Sequence, residues 1–210
     1  MTSIVGLTAK PSQRSDRPAG AVAIIGSAGG LKALISLLGA LPDTFPLPIC
    51  VALHLAVGRS ILDAVLSRHS ALKVGWAIEA GQPIGGSVYL TPPGMRLGVT
   101  AAGFELSPLG SRRSSWLECG DHLINSLIAL FGSRTIGVVL SGMLPAGVSG
   151  LQAIKACGGF ALAQDRISSE FFEMPAAAID WGKAEIVMPP DRLASVLNMI
   201  AEEWRWDGRV

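Results

Sequence analysis

The chain is short of charge. Of its 210 residues only 16% are Asp, Glu, Lys or Arg, against 50% hydrophobic, and 17 basic with 16 acidic side chains leave a net charge of +1. The Lys and Arg are scattered and form no basic stripe, so nucleic acid is not an expected partner. Long apolar runs are missing too. The uncharged stretches are broken by Gly and Pro and alternate between strand and helix patterns, none reaching the roughly 20 continuous apolar residues of a membrane span, so no membrane insertion is expected. A composition this apolar in a non-spanning chain fits a broad exposed patch or a partner interface. Cysteine is scarce. Cys50, Cys119 and Cys157 are an odd number at no CxxC spacing, which reads as free thiols in a reducing compartment. His69 and His122 have no second ligand at metal spacing, and neither a metal nor a cofactor is called for. Residues 1–19 lack the apolar core and cleavage site of a signal peptide and read as a flexible leader on a cytoplasmic protein.

What is present is an alternation of elements long enough for one core. One α/β domain is expected over residues 20–204, followed by a tail over 205–210. A strand pattern at 22–25 runs into Gly26-Ser27-Ala28-Gly29-Gly30, and then Leu31, Leu34, Leu37, Leu38 and Leu41 recur at helical spacing and stop before Pro42. Residues 50–53 read as a second buried strand ending in His54, and Ile61, Leu62, Val65 and Leu66 as one face of a second helix. The middle changes character. Short strand patterns at 74–77, 87–90, 95–99 and 104–107, separated by Gly/Pro-rich turns, predict a small antiparallel insertion. Asp121 reads as the N-cap of a helix through Leu123, Leu127, Leu130 and Phe131. A buried strand at 136–140, a Gly-rich loop, a helix near 151–156, strands at 160–164 and 185–188, and a last helix opened by Pro190 and Asp191 complete the series. This order predicts a doubly wound, mostly parallel, Rossmann-like sheet with a small antiparallel hairpin insertion. No internal repeat is found. Trp204 and Trp206 either pack on the domain or form a sticky tail.

The chemistry collects at the carboxyl ends of the strands. Ser27 falls on a tight strand-to-helix turn between small residues, where the following helix offers unpaired N–H groups and a positive dipole end. His54 ends the next strand, at the same sheet edge. Together they could form a nucleophile and its base. Each also has a plainer reading: Ser27 as a turn residue or N-cap, His54 as a satisfied core histidine. The glycine turn is neither GxGxxG nor a P-loop, which argues against phosphate binding. A third loop reads Ser141-Gly142-Met143-Leu144-Pro145-Ala146-Gly147-Val148-Ser149-Gly150.

These segments, with Tyr89-Leu90-Thr91-Pro92 followed by Gly94, Gly150-Leu151-Gln152-Ala153-Ile154-Lys155, Ala163-Gln164-Asp165 and Met174-Pro175, occur in the order and spacing of the chemotaxis protein-glutamate methylesterases. Over residues 21–200 the chain resembles the CheB catalytic domain. The resemblance implies a serine hydrolase that demethylates glutamate methyl esters on chemoreceptor helices, often with glutamine deamidation at the same sites. It matches Ser27 to the nucleophile, His54 to the base and the backbone N–H of Met143 to an oxyanion donor.

Two departures bear on that expectation. Family members carry an aspartate three residues beyond the methionine, where this chain has Ala146, so the acid position of the triad is vacant and the loop around it, with Leu144 and Pro145, is more apolar. Asp165, at the end of the 160–164 strand, is the best substitute acid by topology, while a Ser/His dyad without it is the simpler reading. The commonest family architecture also places a receiver domain before the catalytic domain, and the first twenty residues are too few for one. Either the chain is a stand-alone member, or a regulator docks in trans where the receiver would. Two functions follow: a weakened methylesterase, or a catalytically degenerate binding module that grips a receptor or a partner.

Overall fold

The computed structural model describes residues 18–55, 58–110 and 114–207. Of the expected leader, residues 1–17 lie outside the described part. In chain order the elements are β1 (Ala21–Gly26), α1 (Gly30–Gly39), β2 (Ile49–Leu53), α2 (Leu62–Ser67), β3 (Lys73–Trp76), β4 (Ser87–Leu90), β5 (Met95–Thr100), β6 (Gly103–Pro108), α3 (Ser114–Phe131), β7 (Thr135–Val139), α4 (Val148–Ala156), β8 (Phe160–Gln164), α5 (Glu173–Asp180), β9 (Ile186–Met188) and α6 (Pro190–Asp207).

Seven strands form one parallel sheet in the order β3-β4-β2-β1-β7-β8-β9, and β5 and β6 pair separately as an antiparallel hairpin. The central strands β1, β2 and β7 are buried along their whole length, which is why they read as continuous apolar runs. Side chains alternate across them. Val22 and Ile24 of β1 join a core with Leu34, Leu37 and Leu38 of α1 and Leu193 and Leu197 of α6. Ala21, Ala23 and Ile25 face the other way, toward Leu123, Ile124 and Leu127 of α3 and Leu151 and Ile154 of α4. The expected doubly wound sheet is therefore present. On the α3/α4 side the sheet is lined by small residues that let helices approach closely: a Cβ on Gly137 would stand 2.6 Å from Ile154 Cδ1.

Several local expectations need correction. Residues of the segments at 74–77 and 87–90 are parallel members of the main sheet, β3 and β4, so only β5 and β6 make the antiparallel insertion. Residue pattern does not encode strand direction, and the loop 77–86 between β3 and β4 is long enough to carry the chain back to the starting edge. Asp121 does not begin a helix. It lies inside α3, and its carboxylate accepts the N–H of Gly150, in the first turn of α4, at 2.7 Å. Ile61 precedes α2 and is exposed, so it is no part of that helix's buried face. The helix α5 was not expected. Trp204 packs into the core near Phe160, with ring centroids 6.2 Å apart, and α6 continues to Asp207 through the first residues of the expected tail. No described helix is long and apolar enough to cross a membrane.

Candidate active site

Strand register builds the site. Gly26 of β1 lies opposite Leu53 of β2, so the next residue on each strand, Ser27 and His54, emerge side by side. The His54 N–H donates to the Gly26 carbonyl at 3.1 Å, and the Ser27 N–H to the Ser141 carbonyl at 3.0 Å, which ties the Ser27 turn to β1's neighbours on both sides. The turn closes through Gly30 N–H to Ser27 C=O at 2.9 Å and needs a left-handed residue, supplied by Gly29 at φ +73°. A side chain there would also collide, since its Cβ would stand 2.5 Å from Ser141 Oγ.

Ser27 Oγ is 3.4 Å from His54 Nδ1, a loose contact of the kind found before substrate binds. The imidazole stacks on the indole of Trp116 from α3, with ring centroids 4.1 Å apart and planes 29° apart. His54 is exposed overall, yet its covered face is partly desolvated, and this holds its pKa below the ordinary 6.5. At neutral pH the ring is an uncharged acceptor. Ser27, His54, Trp116, Leu117, Leu144 and Ala146 line one depression of about 440 Å³, part of it open to solvent. Cys119 lines it as well, and burial raises its thiol pKa, which favours the protonated thiol. Cys50, wholly buried, is pushed up to about 12.

The third loop is fixed by its neighbours. Ser141 N–H donates to Gln164 Oε1 at 2.8 Å, and Gln164 Nε2 donates onward to the Ser168 carbonyl at 2.9 Å. Gly142 N–H donates to Phe171 C=O, and Met174 N–H to Gly142 C=O. Ala146 is 6% exposed on the cavity wall, on the same cavity as Ser27 and His54. Met143 has an exposed side chain and is not among the cavity residues. Asp165 is not brought to the pair either. Its carboxylate accepts the Ser168 N–H at 2.9 Å and the Ser168 hydroxyl, closing the turn after β8. Among the described residues no cluster of His, Cys, Asp and Glu could hold a metal ion.

Sequence reasoning missed Trp116 and Gln164. The signal for Trp116 was available: with the helix extended toward Ser114, Trp116, Cys119, Gly120 and Leu123 fall at i, i+3, i+4 and i+7 of one inward face. Reading Asp121 as a helix start hid that face.

The family model for the CheB methylesterase matches residues 22–197. The chain belongs to the CheB methylesterase family. It is 37% identical over 188 residues to protein-glutamate methylesterase/protein-glutamine glutaminase 1 of Carboxydothermus hydrogenoformans, covering 87% of this chain and 53% of that protein. To protein-glutamate methylesterase FrzG of Myxococcus xanthus it is 38% identical, covering 84% of this chain and 53% of that one. The chain thus spans about half the length of these curated relatives. The crystal structure of the Thermotoga maritima CheB methylesterase catalytic domain matches it with a TM-score of 0.79 and 29% identity, covering 86% of this chain and 98% of that domain. The seven-stranded parallel sheet and its hairpin are those of a CheB catalytic domain.

Proposed function

We propose that this CheB-family chain is a serine hydrolase that demethylates glutamate methyl esters on chemoreceptor helices or a related signalling protein, with glutamine deamidation as a second reaction at the same centre. The observation that carries the reading is Ser27 Oγ facing His54 Nδ1 at the carboxyl ends of two adjacent central strands. Ser27 Oγ attacks the ester carbonyl while His54 Nδ1 takes its proton. The negative tetrahedral oxygen needs an N–H donor, a role that the resemblance to the family assigns to the backbone of Met143 in the third loop. The intermediate collapses, methanol leaves with the proton from His54, and water, activated by the same nitrogen, releases the glutamate and restores Ser27.

Ala146 sets the rate. A serine hydrolase without its acid loses about 10⁴-fold in turnover, or about 5 kcal/mol of barrier, and keeps the acceleration that comes from binding and the oxyanion site. The activity is therefore that of a weakened enzyme, acting in the cytoplasm. A second reading draws on the same residue. Ala146 and Leu144 give the cavity an apolar wall where a carboxylate would stand, which suits a module that grips a receptor or partner without turnover.

Methanol release from methylated receptor cytoplasmic fragments separates the two. Wild-type release that vanishes in Ser27→Ala supports the enzyme. Release seen in neither wild type nor Ser27→Ala, but appearing in Ala146→Asp, supports the binding module.

A further inference from the structure

We propose that Trp116 is a positioning residue that holds the His54 imidazole with Nδ1 toward Ser27, the orienting task that a carboxylate performs in a complete triad. The inference rests on the hydrolase reading above and deepens it at the same site.

A triad acid does two things for its histidine: it fixes which nitrogen carries the proton, and it fixes the ring's orientation. The first task is light here. The nitrogen facing Ser27 is Nδ1, so the working tautomer carries its proton on Nε2, the form a histidine side chain favours in water without help. The exposed ring leaves that N–H to solvent. The second task remains, because χ2 of histidine is a broad torsion and an unsupported ring would swing away from Ser27. The stack removes this freedom. At 4.1 Å between centroids and 29° between planes, the indole lies across the path of a ring rotation.

Trp116 stands on a helix that is anchored further along. Leu123, Ile124 and Leu127, further along α3, are fully buried against the sheet that carries Ser27 and His54. No carboxylate is among the described residues that line the cavity. Its titratable side chains are His54 and Cys119, and the ion pair of Arg96 with Glu118, at 3.5 Å, lies next to Cys119.

The test uses the full chain as wild type, Trp116→Ala, Trp116→Phe, Trp116→Phe with His54→Gln, and His54→Gln. In methanol release, Trp116→Ala should lower kcat by on the order of 10²-fold with KM little changed, as a misplaced base does, and Trp116→Phe, which keeps a ring in the stack, should recover most of it. A second readout needs no turnover. A protonated imidazole quenches a stacked indole, so the wild-type minus Trp116→Phe difference in tryptophan emission should titrate with pH, and the same difference taken in the His54→Gln background should not. Circular dichroism melts establish that each variant is folded. Wild-type kcat in folded Trp116→Ala, or an emission difference indifferent to His54, overturns the proposal and leaves the hydrolase reading intact. Wild type that releases no methanol while the His54-dependent emission titration persists sinks the hydrolase reading instead, with the held imidazole upheld.

Discussion

In the hydrolase proposed above, Ser27 is the residue on which activity turns, and little of the fold depends on its hydroxyl. It is half-buried, and its backbone N–H and C=O, rather than Oγ, close the turn. Ser27→Ala should therefore abolish methanol release while leaving the melting temperature within about 1 °C of wild type, in keeping with a change of less than about 0.5 kcal/mol. Ala146→Asp should act in both respects. It sets a carboxylate on the wall of the cavity that holds His54, and kcat should rise. It also puts a charge into an apolar wall at a position 6% exposed, at a cost of about 1–3 kcal/mol or more, visible as a lower denaturant midpoint. Ser27 and His54 were legible in the sequence because each directly follows a buried strand, and strand ends at one sheet edge converge. The stack on Trp116 was not, since the contact joins a strand end to the first turn of a helix, across residues far apart in sequence.

At the scale of elements, two short connections decide where the site sits. The Ser27 turn depends on Gly29, where both the left-handed φ and the closeness of Ser141 Oγ and Glu170 Cβ exclude a side chain. Gly29→Ala should lower both stability and kcat, since relief of the clash must move either the Ser27 turn or the Ser141 loop; parallel melts and methanol-release assays check it. The second connection joins helices. Helix α4 begins after Gly147, which offers no side-chain cap, and Asp121 of α3 reaches across to accept the Gly150 N–H instead. Asp121→Ala should remove about 1 kcal/mol, or about 2–4 °C in Tm, read by calorimetry. A sequence read one element at a time assigns such a carboxylate to its own helix, because capping patterns are local and this cap is not. The direction of β3 and β4 was hidden for a similar reason: alternation and turn residues mark strands, while the pairing partner is chosen by the sheet.

For the molecule as a whole, acidity is the lever with a defined sign. His54 is held below its ordinary pKa by partial desolvation, and His122 by desolvation first and then by the nearby Arg96, against a raising effect of Glu105. Both folded-state values lie below the unfolded one, so the native state resists protonation. Their contribution to stability is fully present above about pH 6.5 and is lost as pH falls through the lowered values. Melts from pH 8 to pH 4.5 should show Tm falling across that window, less steeply in His122→Gln. Activity should follow the base, with kcat/KM rising to its plateau at a midpoint below the usual histidine range. The backbone hydrogen bond between β1 and β2 at the site, His54 N–H to Gly26 C=O, adds a clock to this picture. Its amide lies just past the last rung of a fully buried pair of central strands, so it exchanges when the carboxyl ends of β1 and β2 part. Deuterium uptake at that single amide reports how often the backbone pairing beneath Ser27 and His54 opens, separately from the swing of the imidazole that Trp116 restrains.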